Sequence, residues 1–303
     1  MTSSKEKISM SQFFRMFPDD ETARKQFEQW RWGDTKRCPH CDSVRISDTS
    51  QKMPYRCKDC RKRFSVRYNT VMAHSNLGYQ QWMLAVYIAT VGVKGTASTK
   101  LASDVGTSQT SAWYLGHRLR KAWETEGCPM SGIFEVDEAY FGGKEKNKHK
   151  HKKSNMGRGA VGKTAVVAVR NRDKNKIAAK VVKSTSKKEL QDFISESVEP
   201  GSIVYTDDHR SYEGLDFEHE TVKHLVGEYV REQAHINGVE SFWALLKRGY
   251  YGTHHYMSPK HLHRYVNEFS ARHSVRKMNT FDAMSVIARG MIGKELRFEE
   301  LIK

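Results

Sequence analysis

No apolar run in this chain approaches the roughly 18 residues that a membrane helix needs, and the first residues, Thr2, Ser3, Ser4 and Lys5, are polar. Neither a membrane span nor a secretory signal is expected, which points to a cytoplasmic protein. Acidic residues are in deficit: 35 stand against 51 lysines and arginines, a net charge of +16 over 303 residues. That imbalance disfavours a polycationic partner and favours a polyanionic one, nucleic acid first. Cysteine is scarce, five in all, and without a secretion signal these are expected as thiols rather than disulfides. Four of them are paired at short spacing, which suggests metal; Cys128 stands apart.

What is present allows a folded, multidomain chain, because a hydrophobic content of 38% suffices for packed cores. The positive charge is uneven. Residues 1–130 hold 21 basic and 12 acidic side chains, and residues 131–303 hold 30 and 23. Within the second half, residues 144–163 alone carry eight lysines or arginines and one acid, Glu145, which accounts for that half's whole excess. Charge alone fits a loop that holds DNA or one that is merely solvated.

Residues 19–30 read as a short amphipathic helix, with acids at its start and Ala23, Phe27 and Trp30 at helical spacing. Then come Cys38-Pro39-His40-Cys41 and, after fifteen residues, Cys57-Lys58-Asp59-Cys60, with Tyr55 and Phe64 as hairpin aromatics. Two-residue gaps let both thiolates of each knuckle reach one tetrahedral ion at about 2.3 Å, so Cys38, Cys41, Cys57 and Cys60 are expected to hold structural Zn²⁺. Four thiolates leave no open position for a catalytic water. Ligation worth roughly 10–16 kcal/mol would stabilise a unit with almost no apolar core.

Three helical segments follow, marked by Trp82, Val86, Ile88 and Ala89, then Leu101, Ala102 and Val105, then Ala112, Leu115, Leu119 and Ala122. Gly106 as the turn and Thr107 or Ser108 as N-cap fit a helix-turn-helix; an ordinary three-helix bundle is the plainer alternative. With the apolar stripe inward, Gln109, Tyr114, Arg118 and Lys121 are expected to face a major groove and its phosphates. Beyond Pro129 and Gly132 the texture becomes β, over 133–140, 164–169 and 177–182. A helix over 187–198, a strand over 203–205 and a helix over 236–248 complete an α/β unit. His254, His255, His261 and His263 lack knuckle spacing and read as DNA-facing or packing residues.

Three acids are candidates for chemistry. Asp137 lies in Phe134-Glu135-Val136-Asp137-Glu138, where strand alternation sends Asp137 and Glu138 to opposite faces, so the two are not expected to share a site. Asp207 follows Ile203-Val204-Tyr205 at a strand end, with Asp208 as its competitor. Glu240 borders the apolar stripe of Val239, Phe242 or Trp243, and Leu246. Each acid alone reads as a solvated charge; the case rests on the set.

The resemblance is carried by Arg31-Trp32-Gly33 before the first knuckle, by Glu135-Val136-Asp137-Glu138 leading to Tyr140-Phe141-Gly142-Gly143-Lys144, by Thr206-Asp207-Asp208 with Tyr212, and by Asn237-Gly238-Val239-Glu240-Ser241-Phe242-Trp243. Over most of its length the chain resembles the bacterial insertion-sequence DDE transposases that carry an N-terminal zinc ribbon, the ISXO-like group. The fold this implies is α/β, a ribonuclease-H-like catalytic core preceded by a four-cysteine zinc ribbon and a helix-turn-helix domain. The expected boundaries are an N-terminal helical segment at 1–34, the ribbon at 35–70, the helix-turn-helix at 75–127, the catalytic domain at 131–275 and a C-terminal helical segment at 276–303.

By that resemblance the first strand supplies Asp137, the fourth supplies Asp207, and a helix 33 residues later supplies Glu240, with Asp208 and Glu138 in support. Lys247 is similar to a DNA-contacting lysine of related enzymes, although the tyrosine and arginine that accompany it there are absent. Lys144 begins the basic stretch expected to hold DNA. Hard carboxylate oxygens suit Mg²⁺ or Mn²⁺. The implied partners are double-stranded DNA, both terminal inverted repeats and target, and further copies of the chain in a homodimer or larger assembly. Two other readings stay open: a zinc-ribbon and helix-turn-helix regulator without enzymatic activity, and a ribonuclease-H-like nuclease.

Overall fold

The structure is a computed structural model that describes residues 7–49, 53–124, 127, 129–143, 162–222 and 235–303. Cys128 and the basic residues 144–161, Lys144 included, lie outside the described residues. The chain divides into two compact units, Met1–Glu124 together with Arg276–Lys303, and Thr125–Val275.

The first unit opens with α1 (Met10–Met16) and α2 (Asp20–Trp32). Asp19 caps α2, its carboxylate accepting the Thr22 N–H at 2.7 Å, while Asp20 and Glu21 favour the positive end of the helix dipole. The stripe Ala23, Phe27 and Trp30 is buried as its spacing predicts. A small antiparallel sheet follows, β1 (Ile46–Asp48), β2 (Tyr55–Cys57) and β3 (Arg63–Phe64). Next come α3 (Tyr79–Val91), α4 (Ser98–Val105) and α5 (Gln109–Ala122). Every residue of α3 from Trp82 to Ala89 is buried, the mark of a helix packed on all sides. Gly106, at φ +71° in the left-handed region, ends α4, and Ser108 caps α5 by accepting the Ser111 N–H at 3.2 Å.

The second unit holds one five-stranded sheet in the order β6-β5-β4-β7-β8, from β4 (Ile133–Phe141), β5 (Thr164–Asn171), β6 (Ile177–Val182), β7 (Ile203–Asp207) and β8 (Glu218–Val222). β4, β5 and β6 form an antiparallel meander, whereas β4-β7 and β7-β8 are parallel pairs. This mixed sheet is the arrangement a ribonuclease-H-like core implies. α6 (Lys187–Ser197) covers one face, where Leu190, Phe193 and Ile194 meet Phe134, Val136, Val167 and Val204. α7 (Asn237–Arg248) and α8 (Pro259–Val275) cover the other, with Val239, Phe242, Leu246, Val266 and Phe269 against Ala139, Val166, Ala168 and Tyr205.

The C-terminal residues return to the first unit as α9 (Thr280–Gly290) and α10 (Phe298–Ile302). Phe281 on α9 packs on Trp30, ring centroids 5.4 Å apart. Val71 donates its N–H to the Met291 carbonyl at 3.2 Å. Gly290 lies so close to the Ala122 carbonyl that a Cβ there would overlap it, which lets α9 and the end of α5 touch through backbone.

Candidate active site

Strand register assembles the acids. β4 and β7 run parallel with Ile133 opposite Ile203, Phe134 opposite Val204 and Glu135 opposite Tyr205. Two residues farther along, the same offset sets Asp137 level with Asp207, on one face of adjacent strands about 4.8 Å apart. α7 crosses that face. Its apolar stripe is buried, and Glu240 stands at the exposed border of the stripe. Asp137 accepts the Glu138 N–H at 2.8 Å, and Asp207 accepts the His209 N–H at 3.1 Å.

Burial first, then the charges of Glu138, Asp207 and Glu240, push the Asp137 carboxyl up to about 7. Asp208, past the strand end, is exposed. Glu138 follows the strand alternation. It leaves from the opposite face, where the buried Tyr212 donates its hydroxyl to Glu138 Oε2 at 2.6 Å. Burial and then the Asp207 charge raise the Glu138 carboxyl as well. Four carboxylates therefore share one electrostatic environment, and like charges held this way favour a cation or a proton.

The donor set is all hard oxygen, which fits Mg²⁺ or Mn²⁺ rather than a soft metal. Among the described residues, only the four cysteines bring metal-ligating atoms all within 4.8 Å of one another; the acids are spread wider. Mg²⁺ usually keeps several waters and takes only one or two protein carboxylates, so it does not need all three acids to meet in the metal-free chain.

The thiolate cluster is closed by contrast. Cys38 Sγ lies 3.6 Å from Cys60 Sγ, and Cys41 Sγ 3.6 Å from Cys57 Sγ, close to the ~3.8 Å edge of a tetrahedron with 2.3 Å zinc–sulfur bonds. The two knuckles match in backbone as well, since the residues after Cys41 and Cys60, Asp42 (φ +59°) and Arg61 (φ +62°), both take the left-handed conformation. The ribbon is tied to α2: Tyr55 donates its hydroxyl to Glu28 at 2.6 Å, and Arg24 donates to Glu28 at 2.6 Å and to Tyr55 at 2.7 Å.

The expected outward face of α5 needs correction. Gln109 is exposed and donates to Ser98 Oγ at 2.9 Å. Tyr114 is half-buried and donates its hydroxyl to the Leu296 carbonyl at 2.6 Å. Arg118 is buried: it donates to the Ala73 carbonyl, its guanidinium lies 4.5 Å from the Tyr114 ring centroid, and burial lowers its pKa. Lys121, half-buried, pairs with Glu124 at 2.5 Å. A guanidinium has flat apolar faces that stack on aromatics, so helical periodicity misplaced Arg118. Lys247 is exposed on the same side of α7 as Glu240. Of the histidines, His254 packs its ring 4.9 Å from that of Tyr265.

Sequence reasoning missed two groups. Arg56 and Arg63 are exposed and directly opposite each other across β2 and β3; only the register reveals that pairing. Glu135, fully buried, is held by Arg170 and Arg172, partners from elsewhere in the chain.

Residues 129–273 match the ISXO2-like transposase domain, and residues 18–63 match the transposase zinc-ribbon domain. An uncharacterized protein in the transposable element ISH50 of Halobacterium salinarum is 27% identical over 288 residues, 90% of this chain and 97% of that protein. An uncharacterized transposase-like protein of Haemophilus influenzae is 38% identical over 78 residues, 25% of this chain and 63% of the relative. Among solved structures, a simian T-cell lymphotropic virus intasome in complex with PP2A regulatory subunit B56 gamma is similar at a TM-score of 0.29 and 14% identity, covering 63% of this chain and 67% of that one. That distance leaves the two domain matches and the near full-length relative, and by them the chain carries an ISXO2-like transposase domain over residues 129–273 behind a transposase zinc-ribbon domain over residues 18–63.

Proposed function

We propose that the chain binds the terminal repeats of an insertion sequence, cuts the DNA there and joins the freed end to target DNA, with Asp137, Asp207 and Glu240 as catalytic acids. The observation that carries this is the β4–β7 register that sets Asp137 level with Asp207, where burial and then the charges of Glu138, Asp207 and Glu240 raise Asp137 to about 7. The acids would hold Mg²⁺ or Mn²⁺. When bound, the metal supplies positive charge to an attacking oxygen, to the scissile phosphate and to the leaving oxygen.

Hydrolysis at the element's end breaks one phosphodiester and leaves a 3′-hydroxyl. That hydroxyl then attacks a target phosphodiester, one bond forming as another breaks. No side-chain nucleophile takes part. Asp137 and Asp207 sit on rigid strands and Glu240 on a packed helix, placements that hold a constellation better than loops do. Arg56 and Arg63 on the ribbon, Gln109 and Lys121 on α5, and Lys144 and Lys247 in the catalytic unit are the residues offered to DNA. The like-charged Arg56–Arg63 pair is unfavourable in the free protein and becomes favourable beside phosphates. Paired element ends would require at least two copies of the chain. Among the described residues no helix is long and apolar enough to cross a membrane.

Asp137→Asn is expected to abolish Mg²⁺-dependent cleavage of terminal-repeat DNA while leaving DNA binding near wild type. Wild-type protein that binds the ends but never nicks or joins them contradicts the proposal and favours a regulator. Nicking without strand-transfer products favours a nuclease.

A further inference from the structure

α7 starts without a cap of its own: Ile236, at the N-cap position, makes no side-chain hydrogen bond. The cap comes from the sheet. Glu135 Oε2 on β4 accepts the N–H of Val239 at 2.8 Å, in the first turn of α7 and one residue before Glu240. Glu135 is fully buried, and its other oxygen is held by Arg170 Nη1 at 3.0 Å and Arg172 Nε at 2.8 Å. Arg170 is directly opposite Glu135 on β5, and Tyr205 directly opposite on β7, so the carboxylate sits in one row across three strands. The Arg172 guanidinium lies 4.5 Å from the Tyr205 ring centroid and donates to the His235 carbonyl, just ahead of α7. Gly238 completes the fit: a Cβ there would overlap Arg170 Nη1 and lie 2.6 Å from Glu135 Oε2.

From this geometry we propose that Glu135, clamped by Arg170 and Arg172, is the positioning residue that sets Glu240 in register with Asp137 and Asp207. The proposal rests on the three-acid reading above and adds the part that fixes its third member. Glu135 and Asp137 are two residues apart on one face of one strand, and Val239 and Glu240 are neighbours on one helix. A single hydrogen bond therefore ties the strand acid to the helix acid through a short, stiff path.

Packing alone does not supply that registration. The stripe of Val239, Phe242, Trp243 and Leu246 holds α7 to the sheet, but apolar attraction is not directional. A slip of one residue moves a helix by about 1.5 Å and turns it by about 100°, which would carry Glu240 off the site. Functional constellations need placement within ~0.5 Å, and a directional bond between fixed groups provides it. A buried ion network is also an expensive way to gain stability alone, because apolar residues of the same volume often do as well or better.

The test uses full-length, zinc-loaded protein and Mn²⁺ as probe, read by electron paramagnetic resonance of the free ion. Glu135→Gln keeps an acceptor for Val239 but loosens the arginines. Gly238→Ala keeps every charge and forces the Arg170 and Glu135 side-chain ends apart from the first turn. Both variants are expected to bind Mn²⁺ at least tenfold more weakly and to raise the Mg²⁺ needed for half-maximal end cleavage by a similar factor, with cooperative melting retained. Amide exchange on metal-free wild type is expected to show Val239 as protected as the core of β4. Wild-type Mn²⁺ affinity in either folded variant overturns the clamp, as does fast Val239 exchange before metal is added. Should Glu135→Gln fail to fold, Gly238→Ala and the wild-type exchange decide the matter. Wild-type protein that binds no Mn²⁺ sinks the three-acid reading and the clamp's role with it; binding that both variants leave unchanged sinks the clamp alone.

Discussion

The ribbon and the catalytic unit each gather four ionisable side chains, by opposite routes. In the ribbon, two short knuckles bring Cys38, Cys41, Cys57 and Cys60 within 4.8 Å of one another, and the shell closes on itself. In the second unit, Asp137, Glu138, Asp207 and Glu240 come from two strands and a helix, and burial, then the charges of the other three, raises Asp137 to about 7. The closed site stores stability. The open one costs stability until a cation arrives. The difference is the one expected between a metal that folds a domain and, under the proposed function, one that a folded domain would hold for chemistry.

The largest effect expected from breaking this contrast is on the ribbon. Removal of zinc by a chelator, or Cys57→Ser, should unfold residues 35–70 with a loss on the order of 10 kcal/mol of ligation energy, while unit 2 keeps its melting transition. Zinc analysis and calorimetry check this; zinc at full occupancy in Cys57→Ser would contradict it.

Next in size is the linkage between Asp137 and pH. Its folded pKa lies above the ordinary 3.8, so the folded state holds the proton more tightly. The stability this confers is present below about pH 4 and is lost as pH rises toward 7. In metal-free protein, Asp137→Asn removes the penalty and should be more stable than wild type by a few kcal/mol at pH 8, with the gap closing near pH 4. Saturating Mg²⁺ should stabilise the wild type alone. Melting curves across that pH range give the answer, and a gap that does not change with pH would refute the raised Asp137 pKa.

The DNA-facing prediction is smaller. Arg56→Ala with Arg63→Ala should leave zinc bound and lower the salt slope of DNA binding by about 2, each phosphate contact contributing roughly 0.9. An unchanged slope removes the ribbon row from the interface. The smallest effect is at the ribbon's joint with α2, where Tyr55→Phe leaves Glu28 short of one donor and should cost about 1–3 kcal/mol in unit 1, read by denaturant unfolding.

The same contrast explains what the sequence disclosed. Cysteine spacing is local, so the zinc cluster is legible without a fold, as are the stripes Ala112, Leu115, Leu119 and Ala122 and the strands around Val136 and Val167. β8 was missed because its residues Glu218, His219 and Glu220 are polar and show no apolar alternation, a character suited to a sheet edge. α8 was missed for a related reason, its first turns carrying His261, His263 and Arg264 among the apolar residues. Arg118 reads as exposed on any helical wheel, yet Trp82 and Tyr114 accept its guanidinium. Glu135 looks like one more solvated acid until β5 brings Arg170 opposite it. What stayed hidden depends on pairings across the chain, which local pattern does not encode.

The most direct test of the central claim is a cleavage assay on DNA bearing the element's ends, run with Mg²⁺ on wild type and four single variants. Asp137→Asn, Asp207→Asn and Glu240→Gln are each expected to lose at least a thousandfold in cutting with end binding retained, while Asp208→Asn cuts within a few-fold of wild type. Wild-type cutting by any of the first three, or loss confined to Asp208→Asn, would contradict the account.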